Sequence, residues 1–278
     1  MQYIDLLKQS ADKYKSIVCL GLDPEIDKIP LDGEPADKIF TFYESILNCI
    51  IKKNIYPSAV KPNYAFYAQY GLDGIAALHK IIQIYKNEGI PVILDAKRGD
   101  IGKTAEAYAR EAFSFFDADA VTLSPYMGHD SVSPYLNLFP DRGCYILTKT
   151  SNPGSGDIQD TIANDKPVFI NVAEKITQWH KPGMGAVAGA TYPEQLVMIQ
   201  DIFLKSGKEV PLLIPGIGTQ GGDVKSVVKN ISENKEFRIH RINSSSAINY
   251  AYIKKKNMMF DEAAVEALDE LNGEIALY

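Results

Sequence analysis

Eight short runs of apolar or β-branched residues recur along the chain, at 16–23, 59–66, 91–97, 120–125, 144–151, 185–190, 212–218 and 238–244. Between them lie stretches in which apolar residues return at mixed spacings of three and four, at 36–53, 72–87, 103–116, 193–205 and 260–271. The second pattern is that of a helix burying one face, and the first is that of a strand covered on both sides. Their alternation predicts parallel strands joined by crossover helices. Eight units predict an α/β fold closed as a single (β/α)8 TIM barrel over residues 1–278. An open doubly wound sheet fits less well, because no Gly-x-Gly-x-x-Gly follows the first run. Two segments depart from the repeat. Residues 23–34 are rich in Pro, Asp and Gly, and residues 152–182 carry the one tryptophan, Trp179, with an extra helix expected near 168–180. Insertions of this kind tend to sit over a barrel's active face.

Polar residues stand where this pattern places the C-terminal ends of strands, the positions from which barrel enzymes draw their reacting groups. The first run ends Leu20-Gly21-Leu22-Asp23-Pro24 and the second carries Val60-Lys61-Pro62-Asn63. The third reads Asp95-Ala96-Lys97-Arg98-Gly99-Asp100, with Thr104 opening a helix, and the fifth reads Lys149-Thr150-Ser151-Asn152-Pro153-Gly154. Asp95 and Lys97 are two apart, so on an extended strand end they point the same way. Lys61 and Lys97 are expected to share a pocket with Asp95 between them and Asp100 nearby. Opposite neighbours keep such lysines protonated and such carboxylates ionised, which makes a lysine a proton donor. The competing reading is a surface ion-pair cluster. After the seventh run, the glycine-rich 215–223 segment precedes a helical start, an arrangement suited to cradling phosphate on backbone N–H groups.

Composition narrows the partners. The net charge is −6 and Lys254-Lys255-Lys256 is the one run of three basic residues, so the electrostatic footprint for nucleic acid or an anionic membrane is missing. Small molecules are the expected partners. Cys19, Cys49 and Cys144 lack metal-ligand spacing and suit a reduced, cytoplasmic compartment. No window approaches 18 uninterrupted apolar residues, and residues 1–15 lack a signal-peptide core. His79 and His180 read as surface or satisfied histidines and His129 as near the mouth, so no metal is expected. Ser244-Ser245-Ser246 reads as a polar turn, and Tyr250 and Tyr252 as packing residues.

Taken together, the motifs at 21–24, 60–63, 95–101, Thr122-Leu123-Ser124-Pro125-Tyr126-Met127-Gly128, 149–154 and Pro215-Gly216-Ile217-Gly218-Thr219-Gln220-Gly221-Gly222 resemble the orotidine 5′-phosphate decarboxylase family, in its longer bacterial branch. The resemblance implies a homodimeric barrel with shared active sites and no cofactor or metal. Such a barrel converts orotidine 5′-phosphate to UMP in pyrimidine biosynthesis. It implies Lys97 as the acid that protonates C6, flanked by Asp95 and by Asp100 from the neighbouring subunit, with Lys61 completing the set. Asp23 and Lys61 would meet ribose hydroxyls, Thr104 the ribose across the interface, and Ser151 the pyrimidine. Pro215, Gln220, Gly221, Ser245 and Ser246 would line the phosphate end. One position departs: the family pattern is Asn-Ser-Ser-Arg, with the arginine gripping phosphate, whereas this chain reads Asn243-Ser244-Ser245-Ser246.

Two other readings stand beside it. A sugar-phosphate decarboxylase or aldol synthase of the same barrel group uses Mg²⁺ and an enediolate, but has a metal-binding Glu where this chain has Lys61, and a cation there repels Mg²⁺. A non-catalytic nucleotide-binding descendant is suggested by Ser246 and opposed by the intact Lys61, Asp95, Lys97 and Asp100.

Overall fold

A computed structural model describes residues 1–217, 224–232 and 236–276. Among them run eight parallel strands: β1 (Val18–Leu22), β2 (Ala59–Pro62), β3 (Ile93–Arg98), β4 (Ala120–Leu123), β5 (Gly143–Lys149), β6 (Met184–Ala188), β7 (Leu212–Ile214) and β8 (Arg241–Ser244). Their hydrogen-bonded order is 2-1-8-7-6-5-4-3, and the bridges Val60↔Val92 and Asn63↔Asp95 bring β2 to β3 and close the ring. The barrel expected from the alternating pattern is the architecture found.

The helices follow from their sequences. Pro35–Lys53 begins on a proline with Asp37 in its first turn, ends with Lys52 and Lys53, and stops at Asn54, whose φ of 54° is left-handed. Those residues suit the orphan N–H groups and positive pole at one end and the carbonyls and negative pole at the other. Its buried Ile39, Phe42, Tyr43, Ile46, Leu47 and Ile50 fall at spacings of three and four and join the core outside the strands.

Inside the ring, alternation decides what the site is made of. Cys19, Ala59, Ile93, Ala120, Tyr145, Val187 and Leu213, one from each of seven strands, form one inward layer. Tyr3, Ile4 and Leu7 of the helix Tyr3–Tyr14 plug that layer from the strands' N-terminal end. The eighth strand contributes Arg241, fully buried, whose guanidinium donates to the carbonyls of Leu7, Arg238 and His240 and to Ser10 Oγ. Because side chains repeat every two residues along a strand, the next inward positions are two further on. They are Gly21, Lys61, Asp95, Thr122, Leu147, Gly189, Pro215 and Asn243, and they make the floor of the C-terminal mouth.

Three boundaries differ from expectation. The run at 59–66 stops as a strand at Pro62, because the Asn63 side chain accepts the Ala65 N–H and caps a short helix, Tyr64–Ala68. Residues 238 and 239 of the last run belong to a 3₁₀ turn, Phe237–Ile239, ahead of β8. The helical stretch at 103–116 is Gly102–Arg110 followed by a π turn, Glu111–Phe115. The segment at 152–182 holds a two-stranded hairpin, Ile162–Ala163 with Lys166–Pro167, and the expected helix as Val168–Trp179. No helix among the described residues is long and apolar enough to cross a membrane.

Candidate active site

Asp95 lies at the centre of the mouth. Its Oδ1 accepts Lys97 Nζ at 2.8 Å and the Thr122 hydroxyl at 2.8 Å, and its Oδ2 accepts Lys61 Nζ at 3.0 Å. Lys61 also lies 3.9 Å from Asp23 Oδ1. Burial alone pushes the Asp95 carboxyl up, but the ammonium groups of Lys61 and Lys97 and the Thr122 bond outweigh it and hold the carboxyl well below the usual range. Burial likewise acts to lower Lys61, and Asp23 and Asp95 overcome it and raise its pKa above the ordinary lysine value. Mutual compensation of this kind is what allows charges to sit out of water.

Lys97 reaches Asp95 by a route that simple alternation does not describe. The β3–β4 register shifts between Leu94 and Arg98, and Lys97 has a φ of 46°. A left-handed lysine costs about 1–3 kcal/mol and persists only where its surroundings fix it. Part of that fixing is visible: the Lys97 N–H donates to Thr122 Oγ1 at 2.9 Å. Its side chain is half-exposed at 49%, whereas that of Lys61 is 6% exposed, so Lys97 is the ammonium open to the cavity.

Two cavities meet on this floor. One, of about 490 Å³, is lined by Lys61, Asp95, Lys97 and Thr122 on one side and by Thr150, Ser151, Asn152 and Gln159 on the other. A smaller one, of about 280 Å³, is bounded by Asp23, Glu25, Lys61, Asn243, Ser245 and Ser246. Pro215 lines both. Within the smaller cavity's lining, Asp23 Oδ1 and Asn243 Oδ1 are buried and accept no hydrogen bond. Two glycines allow close packing at the two cavities: a Cβ on Gly21 would lie 1.8 Å from Ser245 Oγ beside the smaller, and one on Gly189 would lie 2.9 Å from Ser151 Cα beside the larger.

The structure therefore brings together Asp23, Lys61, Asp95, Lys97, Ser151, Pro215, Ser245 and Ser246. It does not bring Asp100 to them: its Oδ1 accepts the N–H of Ile101 at 2.8 Å, in its own loop. Thr104 is exposed on the first turn of Gly102–Arg110. Gln220 and Gly221 lie outside the described residues. Sequence reasoning gave no role to Thr122, which holds both Asp95 and the Lys97 backbone, or to Gln159, whose side chain pairs with the Thr150 N–H and hydroxyl at 2.9 Å each. Tyr250 does more than pack. Its hydroxyl accepts the Glu25 N–H at 2.6 Å and donates to the Asp23 carbonyl at 3.2 Å, tying down the exit of β1. Long-range partners like these leave no local pattern in a sequence.

The profile of the orotidine 5′-phosphate decarboxylase / HUMPS family matches residues 16–255. The chain belongs to that family. It is 42% identical over 256 residues to the orotidine 5′-phosphate decarboxylase of Roseiflexus castenholzii, covering 90% of each chain. It is also 42% identical over 284 residues to that of Dechloromonas aromatica, covering 100% of both. Among solved structures, the OMP decarboxylase of Leishmania donovani superposes with a TM-score of 0.79 at 32% identity, with full coverage of both chains. The family is one of carboxy-lyases, which sets the strand-end chemistry described above within a decarboxylase frame.

Proposed function

We propose that this chain decarboxylates orotidine 5′-phosphate to UMP and CO₂, the last step of de novo UMP formation, with Lys97 as the proton donor and no cofactor. The observation that carries the reading is one buried carboxylate, Asp95, shared between Lys97 at 2.8 Å and Lys61 at 3.0 Å where the two cavities meet. Loss of CO₂ leaves an electron pair on C6. An ammonium already oriented there stabilises that charge without solvent reorganisation, then gives up a proton as the C6–H bond forms. Lys97 is left neutral and regains its proton from water. Asp95, beside the departing carboxylate, disfavours the ground state, and Lys97 supplies the larger part.

The two cavities suit the two ends of a nucleotide. Ser151 is positioned for the pyrimidine, and Asp23 and Lys61 for ribose hydroxyls, with the open acceptor at Asp23 Oδ1 available to a hydroxyl donor. Pro215, Gln220, Gly221, Ser245 and Ser246 are assigned to the phosphate end. The proposal treats residues 1–278 as one barrel domain that acts as a homodimer. In that dimer Asp100 and Thr104 serve the partner's site, a reading supported by their absence from the lining of their own chain's two cavities. Ile101, next to Asp100 in the chain, and Tyr126 and Met127 are exposed at 46%, 88% and 47% and suit such a contact. Three free buried thiols fit a cytoplasmic setting.

The Mg²⁺-enediolate alternative is disfavoured by charge, since a divalent ion on Asp95 would face the Lys61 ammonium held 3.0 Å from that carboxylate. The deciding experiment is UMP formation by purified protein, with Lys97→Ala as control. Loss of more than about 100-fold with unchanged circular dichroism supports the donor role, because positioned acids contribute roughly 10²–10⁴-fold. Retained turnover above that level removes the role. Activity lost to EDTA and restored by Mg²⁺ favours the alternative.

A further inference from the structure

We infer that Arg98 and Glu111 form a positioning clamp that staples the seam between β2 and β3 and so holds Lys97 in place; its catalytic half rests on the reading of Lys97 as proton donor. The seam is where the barrel is least continuously bonded. Among the described residues, other neighbouring strands share ladders, whereas β2 and β3 meet only through the isolated bridges Val60↔Val92 and Asn63↔Asp95. Lys61 stands on one side of this seam and Lys97 on the other, so its opening would part the two ammonium groups that share Asp95.

Arg98 is the residue after Lys97, and its guanidinium is held on three sides. Nε and Nη2 donate to the Glu111 carboxylate at 2.9–3.2 Å. The guanidinium carbon lies 4.6 Å from the ring centre of Tyr64 and 4.5 Å from that of Tyr108. Tyr64 opens the short helix that leaves β2 just past Lys61-Pro62-Asn63. Tyr108 lies on Gly102–Arg110, and Glu111 begins the π turn that continues that helix. One planar cation thus joins the exit of β2, the exit of β3 and the helix that carries Thr104. The Arg98 carbonyl also accepts the Ser124 N–H at 2.7 Å, which fixes the fourth strand's exit to the same residue.

Arg98 lines neither cavity on the floor of the mouth, so it acts through Lys97 rather than on a substrate. The geometry requires an arginine: a bidentate bond and two stacked faces need a planar fork, and a lysine's point charge supplies neither. A left-handed backbone at Lys97 needs continuing restraint, and the clamp grips the adjacent residue. Misplacing a reacting group by about 1 Å can cost on the order of 100-fold in rate.

The test uses Arg98→Met, Arg98→Lys and Glu111→Gln in the full-length enzyme. Each is assayed for kcat and KM on orotidine 5′-phosphate and for amide hydrogen exchange. The Lys97 amide, bonded to Thr122 Oγ1, is the reporter. The expected result for Arg98→Met is a kcat lower by about 10–100-fold with KM changed less than about 3-fold. The exchange of residues 95–101 should rise while that of β5 to β7 does not. Arg98→Lys should fail to restore kcat, and Glu111→Gln should give an intermediate loss. Unchanged kcat, or exchange that rises evenly through the barrel, overturns the clamp and leaves the pair as ordinary structural support. If the parent enzyme makes no UMP, or Lys97→Ala retains activity, the functional reading fails separately. The exchange at Lys97 then decides the clamp by itself, local loosening upholding it and its absence refuting it.

Discussion

Thr122 Oγ1 donates to Asp95 Oδ1 at 2.8 Å and accepts the Lys97 N–H at 2.9 Å, so one hydroxyl on β4 fixes both charged partners at the end of β3. Thr122 is buried, and its loss would leave the Lys97 N–H without that partner beside a carboxylate short of one acceptor bond. Such unmade bonds cost about 1–3 kcal/mol. Thr122→Val, of nearly the same shape, is expected to lower stability by that amount and kcat by roughly 10-fold, while Thr122→Ser should stay near the parent. Denaturant unfolding and steady-state kinetics measure the two effects. A Val variant with parental kcat would show that Lys97 is held without Thr122.

How far this arrangement could be read from the sequence depends on the range of the interaction. Period-two and period-3.6 patterns are local, and they sufficed for the barrel, because each strand must bury both faces and each helix one. The charged ends of the strands were legible for the same reason, since Lys61 and Asp95 fall where alternation predicts buried apolar positions. What stayed hidden is non-local or breaks the period. Asp95 and Lys97 do meet as expected, but through a bulge and a left-handed residue rather than a regular strand. Tyr250 binds a loop 225 residues away in sequence, and the Arg98–Glu111 pair reaches across the helix Gly102–Arg110 to the start of a π turn that no spacing rule announces.

Stability should fall in mild acid because of His240. It is fully buried at the foot of the barrel, its Nδ1 accepts the Leu212 N–H at 3.0 Å, and burial followed by the nearby Arg241 charge lowers its pKa to about 3. A folded-state pKa below the unfolded value of about 6.5 means that this stability is present above pH 6.5 and is lost as pH falls from there toward 3. At pH 5 the loss from this group is about 2 kcal/mol relative to pH 7. Asp95, also lowered, adds to the slope only at pH below about 4. Urea unfolding of the parent and of His240→Asn at pH 7 and pH 5 separates the contribution, since the asparagine oxygen can accept the Leu212 bond without titrating. Equal pH losses in both proteins would assign the acid sensitivity elsewhere.

A shared active site makes its own prediction. In the proposed dimer Asp100, which accepts the Ile101 N–H, and Thr104, which is exposed, are assigned to the partner's site. Lys97→Ala and Asp100→Ala are each expected to be inactive as homodimers. After subunit exchange, the mixed dimer should regain activity at one of its two sites, which receives an intact Lys97 from one chain and an intact Asp100 from the other. Absence of recovery, with exchange confirmed by mass spectrometry, would mean that each chain works with its own residues only.

Ser246 stands where the resemblance implies a phosphate-gripping arginine, and if the smaller cavity takes the phosphate, as proposed, charge says what that difference does. Among the described residues, the lining of the smaller cavity presents three carboxylates, Asp23, Glu25 and Asp95, against one ammonium, Lys61. Arg241 cannot supply the missing cation, because it is buried at the opposite end of the barrel and bonded to Leu7, Ser10, Arg238 and His240. A guanidinium makes bidentate, charge-assisted bonds to phosphate that the Ser246 hydroxyl cannot replace, each worth roughly 1.5–3 kcal/mol. Ser246→Arg is therefore expected to raise kcat/KM for orotidine 5′-phosphate by about 10–100-fold. The phosphate-free nucleoside offers the arginine nothing to hold, so its kcat/KM should change far less. Steady-state kinetics on the two substrates make the comparison, and equal gains on both, or none on either, would show that position 246 does not face the phosphate.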